Sequence, residues 1–542
     1  MKKITTLFLI VMVLFACSSE KKKVDVLIKN ATIYTVNESF ETTEAFVIKD
    51  GKILDIGTLK EIEATYESDE IVDAEGGYIY PGLIDAHCHF YGLGLNQQVV
   101  NLVGTTSFDE VLERVIAFQN KKKSSFITGR GWDQNDWEIK EFPTKNKLDS
   151  LFPDTPVALR RIDGHALLVN QKALDLAGIT SETKVDGGEI VLENEMLTGI
   201  LIDNPMGLIQ RIIPENSLNQ KVSALKDAEA ICFSYGLTTV NDAGLSRETV
   251  ELIDSLQTSN ELTMRVYAMI SASNENLDYY LQKGIIKTDY LNVRSFKVYA
   301  DGALGSRGAA LRNPYSDKPE HFGAMVTSIN DINEIANRIA NESEYQMNTH
   351  AIGDSANTVI LKTYLDVLKN KNDRRWKVEH AQIVSLSDFN YFSFNIIPSI
   401  QPTHATSDMY WAEDRVGAER IKGAYAYKTL LDKAGIIVLG TDFPVELVNP
   451  MHTFYAAVSR KDLQNYPEGG FRIEEALSRE ETLKGMTIWA AFSNFEEAEK
   501  GSLEIGKFAD FIILPKDIMT IPENEIPSVK VKATYIAGKK VY

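Results

Sequence analysis

The chain has 542 residues, with 57 Lys and Arg against 76 Asp and Glu, a formal charge of −19. Apolar residues make up 44% and charged residues 25%, which excludes a disordered, collagen-like or polytopic membrane chain. The acidic balance argues against nucleic acid as the main partner, since phosphate binding needs a basic surface.

At the start, Lys2 and Lys3 precede an apolar run over residues 4–16. The run is too short to span a bilayer but suits a signal-peptide core. It ends in Leu14-Phe15-Ala16-Cys17, followed by Ser18-Ser19-Glu20 and three lysines. This resembles a bacterial lipoprotein signal, with residues 1–16 removed and lipid on the Cys17 sulfur. Residues 17–23 then read as a tether, and lipid on Cys17 would hold the protein to a membrane of the cell envelope, facing the periplasm or outward. The alternative is a plain secretory signal in which Cys17 is incidental. Cys88 and Cys232 alone are too few for a disulfide framework.

Residues 24–36, 44–56 and 71–79 are β-rich, with a hairpin signal at Asp50-Gly51. Residues 508–514 and 529–542 are strand-like too, with a turn at Ala537-Gly538. Two β-rich ends predict one small β-sandwich domain from residues 24–80 and 497–542. The middle, residues 81–496, alternates strands with helical stretches. Candidate strands are 78–84, 238–241, 265–270, 293–300, 345–349, 376–379, 396–400 and 436–440. Eight such units predict an α/β fold, a (β/α)8 TIM barrel. The middle is too long for a minimal barrel of roughly 250 residues. The excess, about 95–230, predicts an inserted α+β subdomain after strand 1.

His87-Cys88-His89 follows the first barrel strand. Residues i and i+2 of an extended chain point the same way, so both imidazoles can face one point while Cys88 packs elsewhere. His350 ends the fifth strand, His380 ends the sixth, and Asp442 follows the eighth. Imidazole and carboxylate at the C-terminal ends of barrel strands suit zinc or a similar divalent ion. Lys297 sits inside the apolar pattern Ser295-Phe296-Lys297-Val298-Tyr299. A buried lysine is costly unless paired or neutralised. It is either carboxylated by CO₂ or salt-bridged to a carboxylate such as Asp301.

HxH on strand one, Lys on strand four, His on strands five and six and Asp on strand eight resemble the amidohydrolase superfamily. The stretches 81–89, 301–307 and 440–444 look like the branch typified by N-substituted formamide deformylase, whose members carry a long insertion after strand one. The resemblance implies one or two divalent ions, Zn²⁺ first among them. His87, His89 and Asp442 would hold one ion, and His350 and His380 the other, with N6-carboxylated Lys297 as a bridge. It implies metal-activated hydroxide attacking a C–N bond (amide, N-acyl or N-formyl) of a small-molecule, amide-like substrate, with Asp442 moving the proton. The alternatives are hydrolysis of esters or lactones on the same site, since fold does not fix function, and a non-catalytic ligand-binding envelope lipoprotein.

Four further residues are candidates for substrate binding. The branch resemblance brings His165 to the pocket; otherwise it is a surface histidine. Arg307, after the fourth strand, either holds a substrate oxygen or forms a loop salt bridge. Trp132 either forms an aromatic lid or packs in a core. His404, after the seventh strand, either lines the pocket or does not. The oligomeric state is not legible.

Overall fold

The computed structural model describes residues 21–369 and 373–542; residues 1–20, with Cys17, lie outside the described residues. Eight parallel strands pair in chain order: β1 Leu83–Cys88, β2 Leu237–Leu245, β3 Arg265–Ser271, β4 Leu291–Tyr299, β5 Gln346–Ala351, β6 Lys377–His380, β7 Ile397–Ile400 and β8 Val438–Leu439. Past β8 the ring nearly closes on β1. The Asp442 amide donates to His87 O at 2.8 Å and the His89 amide to Phe443 O at 2.7 Å. Gly440 permits this approach, since a Cβ there would lie 2.5 Å from the His87 nitrogen.

The strands read as apolar runs because both their faces are buried. Between them lie amphipathic helices with defined starts. Helix Ile329–Glu342 is capped by Ser328 and buries Ile332, Ala336, Ile339 and Ala340, one stripe at helical spacing.

The expected first strand, 78–84, is corrected. It spans the end of one strand, Glu70–Pro81, and the start of β1. Gly82 separates them, packed against Thr238 so closely that a Cβ would fall 2.3 Å from its Oγ1. Two apolar strands with no polar break merge in a sequence pattern.

Between β1 and β2, six strands form a separate sheet in the order Gly188–Glu193, Met196–Asp203, Ala166–Val169, Val157–Arg161, Ile127–Trp132, Val100–Asn101. Helix Phe108–Lys122 packs on the face carrying Ile127, Trp132 and Leu159. Helix Leu218–Ser234 instead joins the barrel core through Leu225, Ala228, Cys232 and Phe233. The inserted sheet therefore ends short of residue 230.

The chain ends share one sheet. Phe511–Leu514 runs antiparallel to Glu70–Pro81, which pairs with Val26–Tyr34, which pairs with Ala45–Lys49. Phe46 and Phe511 nevertheless meet, ring centroids 5.2 Å apart. Three strand spacings of about 4.8 Å would keep them apart in a flat sheet, so this one folds over onto itself. Arg265 on β3 ties it to the barrel, Nε to Asp510 Oδ2 at 2.6 Å and Nη2 to Oδ1 at 3.0 Å, all buried. Asp510→Ala would strand a buried guanidinium. It is expected to cost about 3–5 kcal/mol, read as a lower urea midpoint; a loss below about 1 kcal/mol would contradict the anchoring role.

Candidate active site

His87 occupies the end of β1, fully buried. Its Nδ1 donates to Glu379 Oε2 at 2.5 Å, which leaves Nε2 with its lone pair turned inward. His89, two residues on, donates from Nδ1 to Ala243 O at 3.0 Å, and its Nε2 lies 3.2 Å from Asp442 Oδ1. His380, at the end of β6, donates from Nδ1 to Gln401 Oε1 at 2.7 Å. His404, in helix Pro402–Asp408, places Nε2 3.7 Å from Asp442 Oδ2. His350, at the end of β5, lies against His380, ring centroids 4.6 Å apart, and its Nε2 is 3.5 Å from Gly302 O. The structure thus brings His87, His89, His350, His380, His404 and Asp442 to one end of the barrel.

Two backbone features aim these groups. His380 and Asp442 have φ of 71° and 62°, left-handed conformations that non-glycine residues rarely take. Such conformations concentrate at functional sites. Here each turns a side chain inward where its strand ends.

Electrostatics keep the His87, His350 and His380 imidazoles neutral and the aspartate charged. Burial lowers the His87, His350 and His380 imidazoles, the last two far below the usual range, and Lys297 nearby adds to the effect. Burial would raise the Asp442 carboxyl, but the neighbouring His89, His87 and His380 hold it well below the usual carboxylate range.

Lys297, buried on β4, places Nζ 3.0 Å from His87 Nε2. Its salt-bridge alternative is corrected. Asp301 is occupied, accepting from the amides of Ala310, Ile352 and Gly353 at 2.8–3.0 Å. Burial pushes the unpaired Lys297 amine down to about 8.

Of the four further candidates, His165 and His404 line the cavity. His165 Nδ1 is held by Asp203 Oδ1 at 2.7 Å. Trp132 and Arg307 are corrected. Trp132 is fully buried in the inserted core, tilted against Trp137 and donating to Leu159 O at 2.8 Å. The strand register shifts between Arg130 and Trp132, which turns the indole away from the cavity. Arg307 sits in a turn at φ 60° and pairs with Asp317, Nη2 to Oδ2 at 2.9 Å, outside the cavity lining.

Sequence reasoning missed the supports: Glu379, Gln401 and Asp85. Asp85 accepts from Thr441 Oγ1 at 2.7 Å, tying the first strand to the segment that carries Asp442. One signal was present for Glu379, because Lys377, Glu379 and His380 put three ionisable groups into a fully buried strand.

The donor set fits a divalent ion. Among the described residues, Asp442 Oδ1 and His404 Nε2 are buried with no hydrogen-bond partner, a cost the fold does not need. The ligand atoms of His87, His89 and Asp442 all lie within 4.8 Å of one another, as do those of His380, His404 and Asp442. Nitrogen and carboxylate donors suit zinc-like ions. Above them opens a cavity of about 870 Å³, walled by barrel loops and by the inserted sheet, within the usual range for small ligands.

Comparison with known proteins agrees with this geometry. The chain is 33% identical over 538 residues to Protein LONG AFTER FAR-RED 3 of Arabidopsis thaliana, covering 96% of this chain and 91% of that protein. It is 32% identical to the putative amidohydrolase YtcJ of Bacillus subtilis, covering 94% and 98%. Identity to N-substituted formamide deformylase of Arthrobacter pascens is 23%, covering 95% and 97%. The resemblance to that deformylase is therefore distant, and the plant and Bacillus proteins are more similar. A crystal structure of an uncharacterized metal-dependent hydrolase from Pyrococcus horikoshii superposes with a TM-score of 0.74 at 28% identity, covering 92% of this chain and 99% of that one. A model of the Amidohydrolase family matches residues 70–542; the chain belongs to that family and is a hydrolase acting on carbon–nitrogen bonds.

Proposed function

We propose that the protein hydrolyses the amide, N-acyl or N-formyl bond of a small molecule with the help of one or two divalent ions, zinc first among them. The observation that carries this is the pair of buried, unpartnered donors, Asp442 Oδ1 and His404 Nε2, among neutral imidazoles at the C-terminal end of the barrel. His87, His89 and Asp442 would hold one ion; His380, with His404 or His350, would hold a second. A bound ion of this kind polarises a carbonyl and makes water a nucleophile near neutral pH.

The rest falls to the chain. Glu379, Ala243 O and Gln401 fix the His87, His89 and His380 rings through Nδ1, so each Nε2 is a donor atom in a set orientation. Asp442 is placed to take the proton released by the attacking water and to return it to the departing nitrogen. Lys297, lowered to about 8, is partly a neutral amine near neutral pH. Its Nζ would add to CO₂, forming one N–C bond and releasing one proton, and the resulting carbamate is an anionic oxygen donor beside His87.

The test is a panel of formamides, acetamides and N-acyl compounds assayed for released amine. At least one member is expected to turn over, with activity lost on chelation, restored by zinc and absent from His87→Ala. Turnover that survives chelation and His87→Ala would overturn the reading.

A further inference from the structure

The inserted sheet carries a charge arrangement that the hydrolytic machinery does not use. Arg130 and Arg160 are register partners on the adjacent parallel strands Ile127–Trp132 and Val157–Arg161. Register partners point to the same face of a sheet, so two guanidiniums stand side by side, and both line the catalytic cavity. Burial, with Arg160 beside it, pushes the Arg130 guanidinium down to about 10, still charged at neutral pH. Like charges so placed repel, and a fold normally relieves this with carboxylates.

Here, among the described residues, no carboxylate contacts either guanidinium; Asp163 attracts both only from beyond ion-pair distance. Arg130 donates from Nη2 to Ile162 O at 2.9 Å, and its Nε is buried without a partner. Arg160 donates to Gly164 O and to Gln210 Oε1, both at 3.2 Å. Among the described residues neither forms an ion pair. Of the carboxylates lining this wall, Asp133, Asp136 and Asp163, the first and last are engaged by Arg161, and among the described residues none pairs with Arg130 or Arg160. Asp408 and Glu446, also in the cavity lining, are engaged with Tyr425 and Ser407.

Resting on the amide-hydrolase reading, we propose that Arg130 and Arg160 bind a carboxylate on the substrate, remote from the bond that is cut, and so select N-acyl compounds that carry an acid group, such as N-acyl amino acids. Paired guanidiniums match a carboxylate through parallel charge-assisted hydrogen bonds. The bound anion would pair with two guanidiniums that, among the described residues, have no ion-pair partner of their own.

The experiment compares N-acetylphenylalanine with N-acetylphenethylamine, which differ only in the carboxylate. Amine release gives kcat/KM for each, and calorimetry on the metal-free protein gives binding of each. The wild type is expected to favour the acid at least about 10-fold in both readouts. Arg130→Gln and Arg160→Gln should each cut that preference about 10-fold or more, with Arg130→Lys retaining part of it. Both Gln variants should melt no lower than wild type, because a like-charge contact is removed; this separates binding from folding. Equal handling of the two compounds by wild type, or a preference that survives both Gln variants, would overturn the proposal. If wild type cleaves neither compound, the hydrolase reading fails for this pair, and calorimetric preference for the acid, lost in the Gln variants, still decides the role of the arginines.

Discussion

Asp442→Asn is expected to lower kcat/KM by about 10³-fold or more on whatever amide the panel identifies, with the melting temperature changed by only a few degrees. Two losses combine. Proton transfer by a positioned side chain contributes about 10²- to 10⁴-fold, and a carboxylate is removed from both donor sets that share Asp442. Asparagine is the right replacement, since it fills the same volume and tolerates the left-handed backbone at φ 62°. Alanine would add strain and confuse the result. The effect should fall on kcat, because a proton carrier acts in the transition state and not in binding. Elemental analysis of the same variant should show reduced metal content. A variant that keeps more than about a tenth of the activity would remove Asp442 from the proton path.

The groups proposed for this chemistry were legible because they break local rules. His87 and His89 flank a cysteine at the end of an apolar strand, and His350, His380 and Asp442 end strands that read as buried. Polar residues in such places have few structural uses. The supporting layer was not legible, since Glu379, Gln401 and Asp85 act only through contacts 21 to 356 residues away in sequence. Trp132 and Arg307 show the opposite limit. Each lies near the site in sequence, but a register shift at Arg130 and a left-handed turn at Arg307 aim the side chains elsewhere. The Arg130–Arg160 pairing depends on the register of two strands joined by a long connection, which no local pattern encodes. Strand count came through well because parallel barrel strands are short apolar runs between helices. Strand boundaries came through less well, as at Pro81-Gly82, where two buried strands abut.

Lys297 offers the second test, because the proposed carbamate gives its burial a chemical reason. The amine is buried and, among the described residues, has no carboxylate partner, with His87 Nε2 3.0 Å away. An isolated buried ammonium costs several kcal/mol, and lowering the amine to about 8 relieves only part of that. Carboxylation would reverse the situation, turning an awkward cation into an anionic donor among imidazoles. Protein produced with zinc and bicarbonate is expected to hold about two ions per chain, and Lys297→Met about one, with kcat/KM down about 10²-fold or more. Methionine keeps the volume of the lysine stem, so the metal-free variant should be at least as stable as metal-free wild type, judged by urea midpoint. That combination is the signature of a residue kept for chemistry at the expense of stability. A carbamate carbon signal after growth on ¹³C-bicarbonate, absent from Lys297→Met, would assign the modification directly. Full metal content and full activity in Lys297→Met would remove the carbamate from the site, leaving Lys297 as a positioning partner of His87.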